Sequence, residues 1–264
     1  MKILLTNDDG YQSEGLNTLA DCLMEIGHEV WVCAPTVERS ASSHSMTLHG
    51  DITITEYMPN RYHCSGTPAD CILYASRAGM FGEAPDLVIS GINHGYNIST
   101  DVLYSGTVAA AREAALNGMR AIAISAARDD KNSFAFRHAA CFVRDHLVQL
   151  IDLVNDTTII NINVPPQPNG KVKAANLAYL DYHDAVAEKA ALKTRVVDPS
   201  SIRFGTSVVL ALKGGVKPTQ RCLTEESDFQ AVQDGYITLT ALHVLPEINQ
   251  DVQAQLASFG GSDE

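Results

Sequence analysis

The chain has 264 residues, with 19 Lys and Arg against 31 Asp and Glu, a net charge of −12 at pH 7. A hydrophobic fraction of 45% excludes general disorder, and the length suits one large domain or a domain with an appendage. An acidic surface without a Lys/Arg block argues against binding a nucleic-acid polymer, so any phosphorylated ligand has to be small and held locally.

The N-terminus turns polar after three apolar residues, and no apolar run approaches the ~20 residues of a membrane span, so neither a leader nor a membrane is expected. The six cysteines, at 22, 33, 64, 71, 141 and 222, show no Cys-x-x-Cys pairing and read as reduced thiols of a cytoplasmic protein.

In chain order, residues 2–6 (KILLT) predict a strand, and 14–26 place Leu16, Leu19, Leu23 and Ile26 at helical spacing before the stop at Gly27. A second strand covers 29–34. A helix over 68–80 begins on proline, which the first turn tolerates. Next come a buried strand at 86–90, a helix at 105–117, a strand at 121–125, a long helix at 133–154 and a strand at 158–163. Continuous apolar strands alternating with helices predict an α/β fold: a Rossmann-like parallel or mixed sheet with helices on both faces.

After Pro168 the pattern changes to short β-like runs, at 202–212 and 236–242, and a last helix at 246–258. Residues 1–170 are expected to form the core that carries the site. Residues 171–264 read as a β-rich extension of the same unit, too poor in apolar residues for its own core and therefore pairing with another subunit.

Ligands of such sheets sit beyond the carboxyl ends of the strands. Two of those exits are unusually polar. At the first, Asp8 and Asp9 precede Gly10, which lets the backbone turn so that both carboxylates aim at one point. Paired carboxylates share a proton or hold a hard cation such as Mg²⁺ or Mn²⁺; a solvated turn is the bland alternative. The second exit places Asn93, Asn97, Asp101, Ser105 and Thr107 among glycines before an Ala-rich helix. Ser105-Gly106-Thr107 offers free N–H groups and hydroxyls at a helix start, suited to an anion, and Ser105 also reads as an N-cap. Asn93 is a neutral oxygen donor, whereas His94 reads as a loop histidine. Residues 34–49, with their serines and Arg39, read alone as a polar linker, and Thr67 with Asp70 as a helix cap.

Together these segments resemble the stationary-phase survival protein SurE family of 5′/3′-nucleotidases. The matching pieces are ILLTNDDG at 3–10, APxxxRSxxSxS at 34–45, GTPADC at 66–71, SGINxGxN at 90–97 and DVxYSGTVAAAxE at 101–113. INVP at 162–165 and DFQAVQDGYITLTAL at 228–242 extend the likeness. Ser99 stands where the family usually has glycine, Thr36 where it has Asp, and Ala114 where it has glycine. The resemblance implies a divalent-metal phosphomonoesterase acting on nucleoside monophosphates, as a homodimer or homotetramer with exchanged C-terminal elements. Carried over by position, Asp8, Asp9, Ser40 and Asn93 would hold one Mg²⁺ or Mn²⁺ per subunit. Asn97, Ser105, Gly106 and Thr107 would hold the phosphate, and Asp8, Asp9 and Asn97 would be catalytic.

Two rival readings fit less well. A receiver-type signalling module needs a phospho-accepting Asp where Ser90 to Asn93 stand. A haloacid dehalogenase-type phosphatase needs Asp-x-Asp, but Asp8 and Asp9 are adjacent.

Overall fold

The computed structural model describes residues 1–256 except 80–81, 132, 183–184, 191–192, 197–209, 214–218 and 221–225. The first half runs β1 (Lys2–Thr6), α1 (Glu14–Met24), β2 (Glu29–Pro35), β3 (Ile54–Met58), β4 (Arg61–Cys64) and α2 (Pro68–Arg77). It continues with β5 (Leu87–His94), a 3₁₀ turn at Ser99–Leu103, α3 (Gly106–Leu116), β6 (Ala121–Ala126), α4 (Phe136–Asp152) and β7 (Thr158–Val164). Beyond lie β8 (Val172–Ala174), β9 (Leu180–Asp181), β10 (Ala185–Ala190), β11 (Lys193–Val196), β12 (Leu210–Lys213) and β13 (Thr219–Gln220). The chain then forms α5 (Asp228–Gln233), β14 (Ile237–His243) and α6 (Gln250–Leu256).

Nine strands form one sheet in the order β3-β4-β2-β1-β5-β6-β7-β14-β8. Strands β4, β2, β1, β5, β6 and β7 are mutually parallel; β3 pairs antiparallel with β4 and β14 antiparallel with β7, while β8 runs parallel to β14. Their apolar runs are buried because both faces are covered. Leu16, Leu19 and Leu23 of α1 share one core with Phe136, Val143 and Leu147 of α4. Ile72 of α2 and the small side chains Ala110, Ala111 and Ala114 of α3 fill the other.

Chain direction along the sheet reverses between β1 and β5, because β2 lies on one side of β1 and β5 with β6 on the other. That switch point opens a crevice at the strands' carboxyl ends, and both polar exits fall there.

Three features differ from the sequence expectation. Strand β5 runs to His94 rather than ending at 90, because a bulge lets Asn93 and His94 continue pairing with Ser125 and Ala126. The β3–β4 hairpin is an unforeseen edge. In addition, β14 does not look to another subunit: it pairs with β7 and β8 of its own chain, burying Ile237 and Leu242. The run at 202–212 lies mostly outside the described residues, with only β12 seen. Strands β10–β12 form a small separate sheet and β9–β13 another.

Candidate active site

The turn after β1 aims its two carboxylates. Asn7 donates through Nδ2 to the Gly10 carbonyl at 2.9 Å and to Ser13 Oγ at 2.7 Å, while Tyr11 N–H reaches the Pro35 carbonyl at 2.9 Å. Gly10 takes φ +96°, a backbone that favours glycine. Asp8 is 4% exposed and faces the N-terminus of α3, where the Thr107 hydroxyl donates to its Oδ1. Burial raises the Asp8 pKa, and that hydroxyl with the backbone N–H groups of Thr107 and Gly106 partly offsets the rise. Asp9 is pushed up to about 7, chiefly by burial and then by the charge of Asp8, against a hydrogen bond from His94 N–H at 3.1 Å. Two desolvated carboxylates that repel each other call for a proton or a cation.

Two neutral side chains sit on the adjoining segments: Ser40 follows Arg39, whose N–H binds the Asp8 carbonyl, and Asn93 precedes His94, whose N–H binds Asp9. Asn93 donates through Nδ2 to the Gly95 carbonyl at 3.0 Å, which leaves its Oδ1 as an acceptor. Ser40 is exposed and donates to Glu38 Oε1 at 2.6 Å, so its oxygen keeps lone pairs. Among the described residues no cluster of three His, Cys, Asp or Glu is arranged to hold a metal. An ion here would rest on one acid pair plus such neutral donors, a hard-oxygen set that suits Mg²⁺ or Mn²⁺.

Residues 36–49 are not the free linker that their composition suggests. Arg39 N–H binds the Asp8 carbonyl at 2.7 Å, Ser43 N–H the Tyr104 carbonyl at 2.9 Å, and Thr47 N–H the Asp70 carboxylate at 2.9 Å. His44 Nε2 lies 2.9 Å from Glu113 Oε2 on α3. This strap carries Ser40 to the edge of the site and sets Ser42 against Gly106, a neighbour that the sequence reading missed. The Ser42 Oγ is buried without a hydrogen-bond partner.

At the start of α3, Ser105 Oγ accepts from Val108 N–H at 3.0 Å and so caps the helix. A Cβ on Gly106 would lie 2.7 Å from Ser42 Oγ and 2.9 Å from Asp8 Cβ. Glycine is thus what lets the strap, β1 and α3 converge. Thr107 is fully buried. The structure brings Asp8, Gly106 and Thr107 into contact and ties Asp9 to the residue after Asn93. Asn97 is turned partly away, donating through Nδ2 to Ser125 Oγ at 2.8 Å, and retains one free N–H.

Comparison with known proteins gives the chain a family. The family model described as Survival protein SurE matches residues 3–231. The chain belongs to the SurE family. It is 35% identical over 246 residues to a 5′-nucleotidase SurE of Erythrobacter litoralis, covering 92% of this chain and 94% of that one. It is 43% identical over 253 residues to that of Desulforudis audaxviator, covering 92% of each. The crystal structure of the Aquifex aeolicus SurE protein superimposes with a TM-score of 0.78 at 28% identity, over 98% of this chain and 100% of that one.

A polar frame, largely missed from sequence, holds the SurE-family motif loop. Asn97 N–H donates to Asn163 Oδ1 at 2.8 Å, and its carbonyl accepts from Asn161 at 2.7 Å and Asn163 at 3.1 Å. Ser99, at the position of the usual family glycine, has φ +53°. Its N–H and hydroxyl both donate to the buried Asp228 carboxylate, at 2.7 and 2.5 Å. Tyr182 donates to Asp101 at 2.5 Å. The C-terminal third therefore grips the loop at two points. One signal was available in the sequence: asparagines inside the otherwise apolar strand TIININV need a polar partner.

Proposed function

We infer that this chain is a divalent-metal-dependent 5′-nucleotidase, hydrolysing nucleoside monophosphates to nucleoside and phosphate, with 3′-monophosphates as further substrates. The carrying observation is the pair Asp8 and Asp9: desolvated, mutually repelling and set against a helix N-terminus. It occurs in a chain whose curated relatives are named 5′-nucleotidases. We assign Asp8, Asp9, Ser40 and Asn93 as ligands of one Mg²⁺ or Mn²⁺. Such an ion would neutralise the carboxylate pair and polarise both phosphoryl oxygens and water. Asn97, the Gly106 and Thr107 N–H groups, and the Ser105 and Thr107 hydroxyls take the phosphate. These donors are fixed before substrate arrives, which favours charge developing in the transition state. Gly106 and Thr107 now face Asp8, so the phosphate has to displace or share that contact.

The compartment and assembly belong to the same reading. Five cysteines are free among the described residues, in keeping with a cytoplasmic enzyme. The small sheets of residues 180–220, apart from the main one, are proposed as the oligomerising part of 171–264 in a homodimer or homotetramer. The test is phosphate release from a panel of nucleoside monophosphates, after chelation and with Mg²⁺ or Mn²⁺ restored. Metal-restored release supports the reading, and no release from any nucleotide overturns it. Light scattering that shows a monomer overturns the assembly.

A further inference from the structure

His94 has no part in the assigned metal and phosphate sets, yet it is built into the edge of the site. Its main-chain N–H is held by Asp9 Oδ2 at 3.1 Å, and its ring Nδ1 lies 3.5 Å from Asp9 Oδ1. The ring packs on two others: its centroid is 5.0 Å from Phe134 and 5.0 Å from Phe136. Those two phenyl rings stack 4.8 Å apart with planes 8° from parallel. Phe136 is rooted in the main core, Phe134 packs half-buried against it, and His94 caps the pair with 34% of its side chain exposed. A main-chain anchor and a rigid aromatic backing fix the imidazole where only its outer part meets solvent. Such a ring offers a flat surface at small entropic cost.

We propose that His94, braced by Phe134 and Phe136, is the platform on which the nucleobase of the substrate stacks beside the Asp8–Asp9 centre, so that it sets the enzyme's preference for nucleotides over base-free phosphomonoesters. The proposal rests on the nucleotidase reading and adds a base-recognising residue to it. The surroundings suit a base better than a second anion. The negative charges of Glu14, Glu38 and Asp8 all act on this ring. Of these, Glu14 and Glu38 are exposed and outside the assigned metal set, so they can accept from the exocyclic amino groups of adenine, guanine or cytosine, while the shared negative field repels a second phosphate.

The experiment compares kcat/KM for adenosine 5′-monophosphate and ribose 5-phosphate in wild type, His94→Ala and His94→Phe, all loaded with Mn²⁺. Thermal melts verify that each variant is folded. His94→Ala is expected to lower kcat/KM for the nucleotide about tenfold, the scale of one lost base–ring stack, and that for ribose 5-phosphate by less than about threefold. His94→Phe, which keeps a ring but not the imidazole nitrogens, should return the nucleotide value to within about threefold of wild type. Equal falls on both substrates, or failure of His94→Phe to rescue, would show that His94 acts through Asp9 and overturn the platform. Wild-type enzyme that hydrolyses ribose 5-phosphate but not the nucleotide overturns the nucleotidase reading itself, and the platform with it.

Discussion

Two polar regions lie side by side at the carboxyl edge of this sheet and are built on opposite terms. At the end of β1, Asp8 and Asp9 are buried with fewer favourable partners than two charges need, and their pKa values rise accordingly. At the ends of β6 and β7, Asn97 is held through its N–H, its carbonyl and its amide by Ser125, Asn161 and Asn163. The first region is electrostatically incomplete, which is why a cation is proposed there. The second is tied down, a scaffold that leaves Asn97 one amide N–H for the proposed phosphate. Burial raises the Asp228 carboxylate as well, but hydrogen bonds from Ser99 and Phe229 oppose that rise, whereas at Asp9 the charge of Asp8 adds to it.

Substitution separates the two kinds of region. Asp8→Asn or Asp9→Asn should abolish metal-dependent phosphate release, by roughly 10³-fold or more, while the fold is retained. Metal-free melting should even rise, since the repulsion is relieved. Gly106→Val is expected to lower kcat/KM by about 10²-fold or more, because the added carbon displaces Ser42 and Asp8 together. Metal titration of Gly106→Val should also show weaker binding, since Asp8 lies against that carbon; unchanged metal affinity would mean that Asp8 is not a ligand.

The scaffold should respond in stability first. Asp228→Ala strands the Ser99 N–H in a buried site, and chemical denaturation should show a loss of about 2–3 kcal/mol. Ser99→Gly should cost about 1–2 kcal/mol, since relief of a left-handed backbone offsets only part of losing the hydroxyl's bonds to Asp228 and from Ala178 N–H. A loss as large as that of Asp228→Ala would assign the whole grip to the hydroxyl. Ser105→Ala should cost about 1 kcal/mol through the lost N-cap, read by the same denaturation. A fall in kcat/KM beyond about tenfold at unchanged KM would add a transition-state contact from the same hydroxyl.

Acid–base linkage gives a finer contrast. Asp9 has a folded pKa of about 7 against 3.8 for an ordinary Asp, so its protonated form favours the fold. In metal-free protein that stabilisation is full below the ordinary value and is lost as pH rises through about 7. Melting temperature should therefore fall from about pH 4 to about pH 7 and level off above, and Asp9→Asn should flatten that slope, as thermal scans at fixed ionic strength would show. A slope unchanged in Asp9→Asn would place the titration elsewhere.

Legibility in the sequence followed the same divide. Buried parallel strands announce themselves as apolar runs, and abrupt polarity after two of them marked Asp8, Asp9 and Asn93. The scaffold did not, because its contacts span 28 residues for Asn97–Ser125, 66 for Asn97–Asn163 and 129 for Ser99–Asp228. Local pattern carries no record of such pairings. The β3–β4 hairpin escaped for another reason. Its strands are half-exposed at the sheet edge, with a bulge between Glu56 and Met58, so neither a clean alternation nor an apolar run appears.

The decisive observation is the initial rate of phosphate release from adenosine 5′-monophosphate as Mn²⁺ is added back to chelated wild type and chelated Asp9→Asn. Wild type should start near zero and rise to saturation, and the variant should stay near zero across the same range. Undiminished release by chelated wild type, or the same metal dependence in both proteins, would contradict a carboxylate pair that works by holding a cation.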